Sequence, residues 1–289
     1  LTAPEATPLL EVDPGEPAEG PSRRFRILVA EDNRVNQQIV LAMLGKAGHD
    51  VELVENGVEA VRRVTEERYD LVLMDVQMPE MDGLEATKAI RALGGYEDLP
   101  IVAVTAHALS EERQRCRDAG MNDFLSKPFR PHALLAMVER WGRVGEGAEP
   151  VEVEQPPEVI PGESGVGAIS LPPVDLEEFR SVMREAGIES VVGITLQTYV
   201  SEAPRLVAAI RAAGEEGEDD DGTALASAAH AYKSSAGNIR AKALHALLGD
   251  LESQARSGGR RSALPLLERV QQVHEEVMGY LRQQDELNG

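Results

Sequence analysis

The spacing of apolar residues changes once along this chain, and that change restricts the fold more than any other feature. Up to Trp141, short β-branched and leucine-rich runs alternate with amphipathic segments: RILVA then Val35–Lys46, VELV then Val58–Glu66, DLVLMD then Leu84–Leu93, PIVAVTA then Glu111–Ala119, and DFLS then Pro131–Trp141. Five such units predict a parallel sheet with helices on both faces, because parallel strands need crossover connections and the crossovers cover the sheet. The third and fourth runs are almost purely apolar, which suits the buried centre. Further on, apolar residues recur every three or four positions in Leu176–Ala186, Val191–Ala213, Ala224–Ile239, Ala243–Ala255 and Leu264–Leu281. That spacing predicts an antiparallel four-helix bundle with one extra short helix.

The two patterns are separated by 143–173, where VEVEQPPEVIPGESGVGAISLPP repeats proline without a helical period and reads as a linker. Residues 1–23, rich in Pro, Gly and Glu, read as a flexible lead-in. The expected folded units are therefore 24–142 and 174–286, consistent with a length better suited to two cores than one. The acidic GEEGEDDDG at 214–222 is expected to loop, and SGGR at 257–260 to break the last two helices. The chain opens on Leu1 rather than Met, which suggests a piece of a longer polypeptide with any sensory or membrane-spanning part upstream.

With 29 Lys plus Arg against 50 Asp plus Glu, the average surface repels phosphate backbones and anionic membranes. Aromatic residues make up only 3%, too few for a base-stacking platform, and the helical half offers no basic recognition helix, so no nucleic-acid partner is expected. No apolar run is long enough to span a bilayer, so this segment is expected to make no direct membrane contact. The single cysteine, Cys116, permits no internal disulfide and agrees with a cytoplasmic setting. It has no paired His or second Cys and reads as a packing residue.

In open parallel sheets, ligands collect beyond the carboxyl ends of the strands. There the chain places Glu31, Asp32 and Asn33 after the first strand, Asp75 at the end of the third, Thr105 at the end of the fourth and Ser126-Lys127-Pro128 after the fifth. One strand-end Asp alone is more often a turn or cap residue. Three carboxylates with a hydroxyl and an ammonium are another matter: they call for a hard divalent cation, best Mg²⁺. A carboxylate nucleophile such as Asp75 could then form an acyl phosphate, with Lys127 and the metal stabilising charge and Thr105 donating a hydrogen bond. Pro79 and Gly83 read as loop-shaping residues, and His107 as a solvated or capping one.

The motifs ILVAEDN, LVLMDVQMPEMDG, AVTAHA and FLSKPF resemble the response-regulator receiver domain over about 24–142. The resemblance implies a flavodoxin-like doubly wound α/β fold with strand order 2-1-3-4-5 and Asp75 as phosphoacceptor. It also implies Asp32 and the Gln77 carbonyl as metal ligands, Glu31 reaching the metal through water, and Thr105 and Phe124 as switch residues.

In ASAAHAYKSSAGNIR, the residues Leu225, Ala229, Tyr232, Ala236 and Ile239 should form the bundle seam. The opposite strip carries Ala226, Ser227, His230, Lys233, Ser234 and Gly237, which predicts an accessible imidazole with an ammonium one turn away. Gly237 costs the helix roughly 1 kcal/mol relative to Ala, a cost expected to serve the close approach of a partner. His132, His245 and His274 lack such surroundings. With Val191–Ala213, this stretch resembles the histidine phosphotransfer (HPt) domain over about 174–286. It departs from the common pattern by Ser234 and Arg240, each where Gly is frequent. The resemblance implies His230 as a second phosphoacceptor assisted by Lys233.

Together these readings resemble the C-terminal part of a hybrid sensor histidine kinase. The expected function is a phosphorelay in which an upstream histidine-kinase core charges Asp75, His230 exchanges that phosphoryl group, and a downstream response-regulator receiver takes it. These residues include no ATP-binding core, so no ATP use by this segment is expected. The alternative is a non-catalytic docking module whose affinity is modulated by phosphorylation. A linker of this length spans roughly 30 Å, enough for the two sites to meet within one chain.

Overall fold

The computed structural model describes residues 23–105, 110–127, 129–143, 172–215 and 221–284, with side chains from 112 onward in the second of these segments. The lead-in through 22, the linker from 144 to 171, positions 216–220 of the acidic loop, His107 and Pro128 lie outside the described residues. The first half runs β1 (Arg26–Ala30), α1 (Arg34–Lys46), β2 (Asp50–Val54), α2 (Gly57–Glu66), β3 (Leu71–Asp75), α3 (Gly83–Ala92), β4 (Ile101–Thr105), α4 (Ser110–Ala119), β5 (Asp123–Ser126) and α5 (Pro131–Trp141).

All neighbouring strands pair in parallel in the order β2-β1-β3-β4-β5, the flavodoxin-like doubly wound arrangement that the motifs implied. Strands β3 and β4 are buried along their whole length, as their unbroken apolar runs require, while edge strand β2 keeps partly exposed residues. The order reverses between β1 and β3, which opens a crevice at the carboxyl ends of those two strands. Two helix starts flank that crevice. Asn33 caps α1 by accepting from the backbone N–H groups of Val35 and Asn36 at 3.0 and 3.3 Å, and Asp82 with Glu85 forms a capping box on α3. Gly83 is obligatory, because a Cβ there would lie 2.1 Å from the Asp75 carbonyl oxygen.

The second half is helical: α6 (Leu176–Glu185), α7 (Val192–Glu215), α8 (Thr223–Asn238), α9 (Lys242–Ala263) and α10 (Leu267–Leu281). Helices α7 to α10 pack into the expected bundle, with α6 as the extra short helix. The break expected at 257–260 falls within that stretch, at Gly259. Only Gly259 leaves helical geometry, at φ 73°, and the chain then resumes a helical turn as far as Ala263. The Ser262 hydroxyl stitches that bend by donating to the carbonyls of Gln254 and Gly259 at 2.9 and 2.8 Å, and a helical turn at Leu264–Leu266 then leads into α10. Arg240 stands at φ 64°, in the left-handed region where glycine is favoured, and its guanidinium lies 3.3 Å from Glu178.

The two halves pack against each other through α1, which lies along α7 and α8. No helix among the described residues is long and apolar enough to cross a membrane.

Candidate functional site

The crevice beyond β1 and β3 collects the strand-end residues. Glu31, Asp32 and Asp75 each place a carboxylate oxygen within 4.8 Å of the others. Lys127, carried just past β5, reaches over them with Nζ 2.6 Å from Asp75 Oδ2 and 2.5 Å from Glu31 Oε2. Glu31 and Asp75 are withdrawn from solvent, Asp75 only 4% exposed, while Asp32 is half-buried. Burial, reinforced by the neighbouring Asp75 charge, pushes Asp32 up to about 6. Burial also raises Glu31, against the pull of Lys127. The Lys127 ammonium, which burial alone would lower, is held above its ordinary value by Asp75 and Glu31. Three carboxylates facing one ammonium leave the pocket short of positive charge, and a set of hard oxygen donors suits Mg²⁺.

The remaining residues of the first site fall around this pocket. The Gln77 backbone N–H donates to Asp75 Oδ1 at 3.1 Å, fixing that carboxylate. Thr105 ends β4 at 3% exposure and hydrogen-bonds the Glu112 carboxylate of α4. Phe124 is half-buried on β5 beneath the Arg113 guanidinium, 4.1 Å above its ring. Cys116 is buried and its thiol is pushed up to about 11 by that burial, which fits packing rather than reactivity.

Helix α8 carries His230 and Lys233, but not on an accessible face. Leu225, Ala229, Tyr232, Ala236 and Ile239 form the expected seam, each at most 1% exposed. His230 and Lys233, on the other strip, are both only 5% exposed. The expectation of a bare imidazole is corrected for two reasons: α1 packs over this strip, and α9 supplies a carboxylate beneath it. That carboxylate is Glu252, 1% exposed, which binds His230 Nδ1 at 3.0 Å and Lys233 Nζ at 2.6 Å. Burial alone would raise Glu252, but His230 and Lys233 outweigh it and hold the carboxyl well below its usual range. Arg256, one turn on, adds its guanidinium at 3.1 Å.

Glu252 and Arg256 were missed from the sequence, though a signal for Glu252 existed. It stands four residues after Leu248 and beside Leu251, on the face whose Leu244, Leu248, Leu251 and Ala255 are fully buried. An acid at such a position needs a buried cation. The purpose expected of Gly237 is also corrected: a Cβ there would meet the His245 ring 2.7 Å away, so the glycine admits a residue of its own bundle rather than a partner. The His245 Nδ1–H donates to the Lys233 carbonyl at 3.0 Å, and His274 pairs with Tyr232 at 2.6 Å; His132 is exposed beside Glu185.

The two sites face each other. His230 is close enough to act electrostatically on Asp32 and on Glu112, both at the rim of the acidic pocket. The contact that brings them together joins apolar residues of both halves in one core cluster and adds a set of polar bonds. Asn33 donates to Ser235 Oγ at 2.6 Å and to the Ala231 carbonyl at 3.2 Å, Asn36 to Ser234 Oγ at 2.8 Å, and Gln38 to Thr198 Oγ1 at 2.8 Å. Asn238 donates to Asn36 Oδ1, and Arg34 pairs with Glu202 at 3.5 Å.

Comparison with known proteins divides the chain at the same place. Residues 27–139 match the profile of the response regulator receiver domain, and residues 195–280 that of the Hpt domain. The sensor protein GacS of Pseudomonas syringae pv. syringae is 44% identical over 144 residues, 49% of this chain and 15% of that protein. Hybrid signal transduction histidine kinase B of Dictyostelium discoideum is 44% identical over 121 residues, covering 38% of this chain and 6% of its own. The signal transduction histidine-protein kinase BarA of Escherichia coli K12 is 36% identical over 115 residues, with coverages of 40% and 12%. The chain thus spans a small part of the length of these relatives.

Proposed function

Since the chain joins a response regulator receiver domain to an Hpt domain, we propose that it carries one phosphoryl group between Asp75 and His230 as a segment of a two-component phosphorelay. The observation that supports this most directly is the seating of Asn33 and Asn36, beside Glu31 of the acidic pocket, on Ser235 and Ser234 of the helix that carries His230.

In the charging step, a carboxylate oxygen of Asp75 attacks the phosphorus of a phosphohistidine on an upstream kinase core. The phosphorus–nitrogen bond breaks, the acyl phosphate forms, and the departing imidazole recovers its electron pair. Lys127, already on Asp75 Oδ2, neutralises developing charge on the transferred oxygens. Thr105 exchanges its Glu112 partner for a phosphoryl oxygen, and Phe124 shifts beneath Arg113 in response. Glu31, Asp32, Asp75 and the Gln77 carbonyl would hold Mg²⁺, which when bound supplies the positive charge that this pocket lacks.

In the exchange step, His230 attacks the same phosphorus and Asp75 leaves as a carboxylate. Glu252, bound at Nδ1, fixes the ring so that Nε2 is the attacking nitrogen, and holds the cationic ring that phosphorylation produces. Lys233 and Arg256 balance the charge of the group once it arrives. From His230 the group passes to the receiver of a separate response regulator, which docks on the same face of α8 after α1 has left it.

The test is to incubate the chain with a small acyl-phosphate donor and Mg²⁺ and follow the label. Wild type should acquire label first on Asp75 and then as an alkali-stable phosphoramidate on His230. Asp75→Asn should take up none, and His230→Gln should retain it on Asp75 and pass nothing to a downstream receiver. Transfer downstream by His230→Gln at the wild-type rate would overturn the relay.

A further inference from the structure

Two serines follow Lys233 on α8, and both are enclosed: Ser234 is 8% exposed and Ser235 1%. A serine inside a helix ordinarily turns its hydroxyl to solvent or back to its own backbone. Here each hydroxyl meets a carboxamide of α1, Ser234 receiving from Asn36 at 2.8 Å and Ser235 from Asn33 at 2.6 Å. Asn33 and Asn36 are three residues apart in the first turn of α1 and therefore share a face.

Neither carboxamide has slack. Asn33 Oδ1 caps the helix while its Nδ2 serves Ser235 and the Ala231 carbonyl. Asn36 divides its Nδ2 between Ser234 and Glu31 Oε1, each at 2.8 Å, and its Oδ1 accepts from Asn238. A helix presenting an aliphatic side chain in place of Asn36 would leave Ser234 and Asn238 enclosed without that partner. An acidic one would offer no donor to Ser234 and would stand beside Glu31.

We infer that Ser234 and Ser235 are specificity-determining contacts, selecting for exchange with His230 a receiver that presents two carboxamide side chains three residues apart at the start of its first helix. The inference rests on the proposed relay for its function, but the docking itself does not depend on phosphate. It defines the partner by chemistry: a downstream receiver with this carboxamide pair can replace α1, and one with a single carboxamide is disfavoured roughly tenfold for the pair lost.

A double-mutant cycle on the full chain tests this, with Ser234→Ala, Asn36→Ala and both together, and Ser235→Ala as a second probe. Hydrogen exchange of the unphosphorylated chain reports docking at α1 and α8, and the decay of labelled Asp75 into phospho-His230 reports transfer. Each single variant should increase exchange at both helices and slow transfer by roughly tenfold, while the double variant should be no worse than Asn36→Ala. Thermal midpoints of the serine variants should stay near wild type. Fully additive effects, or unchanged exchange in all variants, would overturn the inference. If exchange shows the coupling but the wild-type chain never moves label from Asp75, the contacts stand as a docking code and the relay reading falls instead.

Discussion

Each half of the molecule buries a lysine against carboxylate, yet the two sites carry opposite surpluses of charge. Lys127 stands alone against Glu31 and Asp75, with Asp32 beside them. In the helical half a single carboxylate, Glu252, is shared by Lys233, His230 and Arg256. The contrast teaches how one group can be held at both ends of a transfer. A phosphoryl group brought to the strand ends meets excess negative charge and needs a cation from solution, whereas the helix already carries the cations it requires.

The largest expected effect separates the two lysines. Lys127→Ala removes the ammonium bonded to Asp75 and should slow label uptake from an acyl-phosphate donor by about 100-fold. Lys233→Ala leaves Arg256 in place and should slow the exchange step by only about tenfold, measured by rapid quench. Equal losses would break the contrast.

Next in size is Glu252→Ala, which strands Lys233 and His230 together in a closed site. It should lower stability by roughly 3 kcal/mol or more in chemical denaturation, with a smaller loss for Glu252→Gln. Gly237→Ala follows: the added methyl group has to displace the His245 ring, at a cost of about 1–3 kcal/mol.

The smallest effect is a pair of opposed pH dependences. Asp32 is raised, so its contribution to stability is present below about pH 4 and is lost as pH rises through about 6. Glu252 is depressed, so its contribution is present above the ordinary glutamate range and is lost as pH falls through its folded value. Melting followed separately in the two halves should therefore move in opposite directions on acidification, and Mg²⁺ should flatten only the first. A shift of the same sign in both would contradict the assigned charge balance.

The sequence and the structure agree best where a local rule determines position. Asp75 and Lys127 could be placed because apolar runs define strands, and the doubly wound order brings strand ends to one crevice. The seam of α8 was legible from its spacing for the same reason. Glu252 was not placed, since its role depends on how α9 lies across α8, and helical spacing gives a face but not the residue opposite it. The exposure expected of His230 failed on a longer-range fact: the covering surface is α1, nearly two hundred residues earlier in the chain. Ser234 and Arg240 stood out as departures from a family pattern, but only geometry separated them. One reads a carboxamide, and the other fits a left-handed backbone position and pairs with Glu178.

With α8 seated on α1, Asp75 and His230 are both buried, and on the proposed relay a donor has to reach Asp75 while α8 is away. Loading and unloading must therefore take turns, and no concentration of donor can hasten a cycle beyond the rate at which the bundle lets go. The same closure keeps bulk water from the acyl bond, so time spent docked is time during which the stored group is shielded from hydrolysis. Inserting residues into 144–171 should then lower the fraction of chains in this sheltered state and, in a His230→Gln background that cannot drain the group, shorten the lifetime of the phosphorylated aspartate.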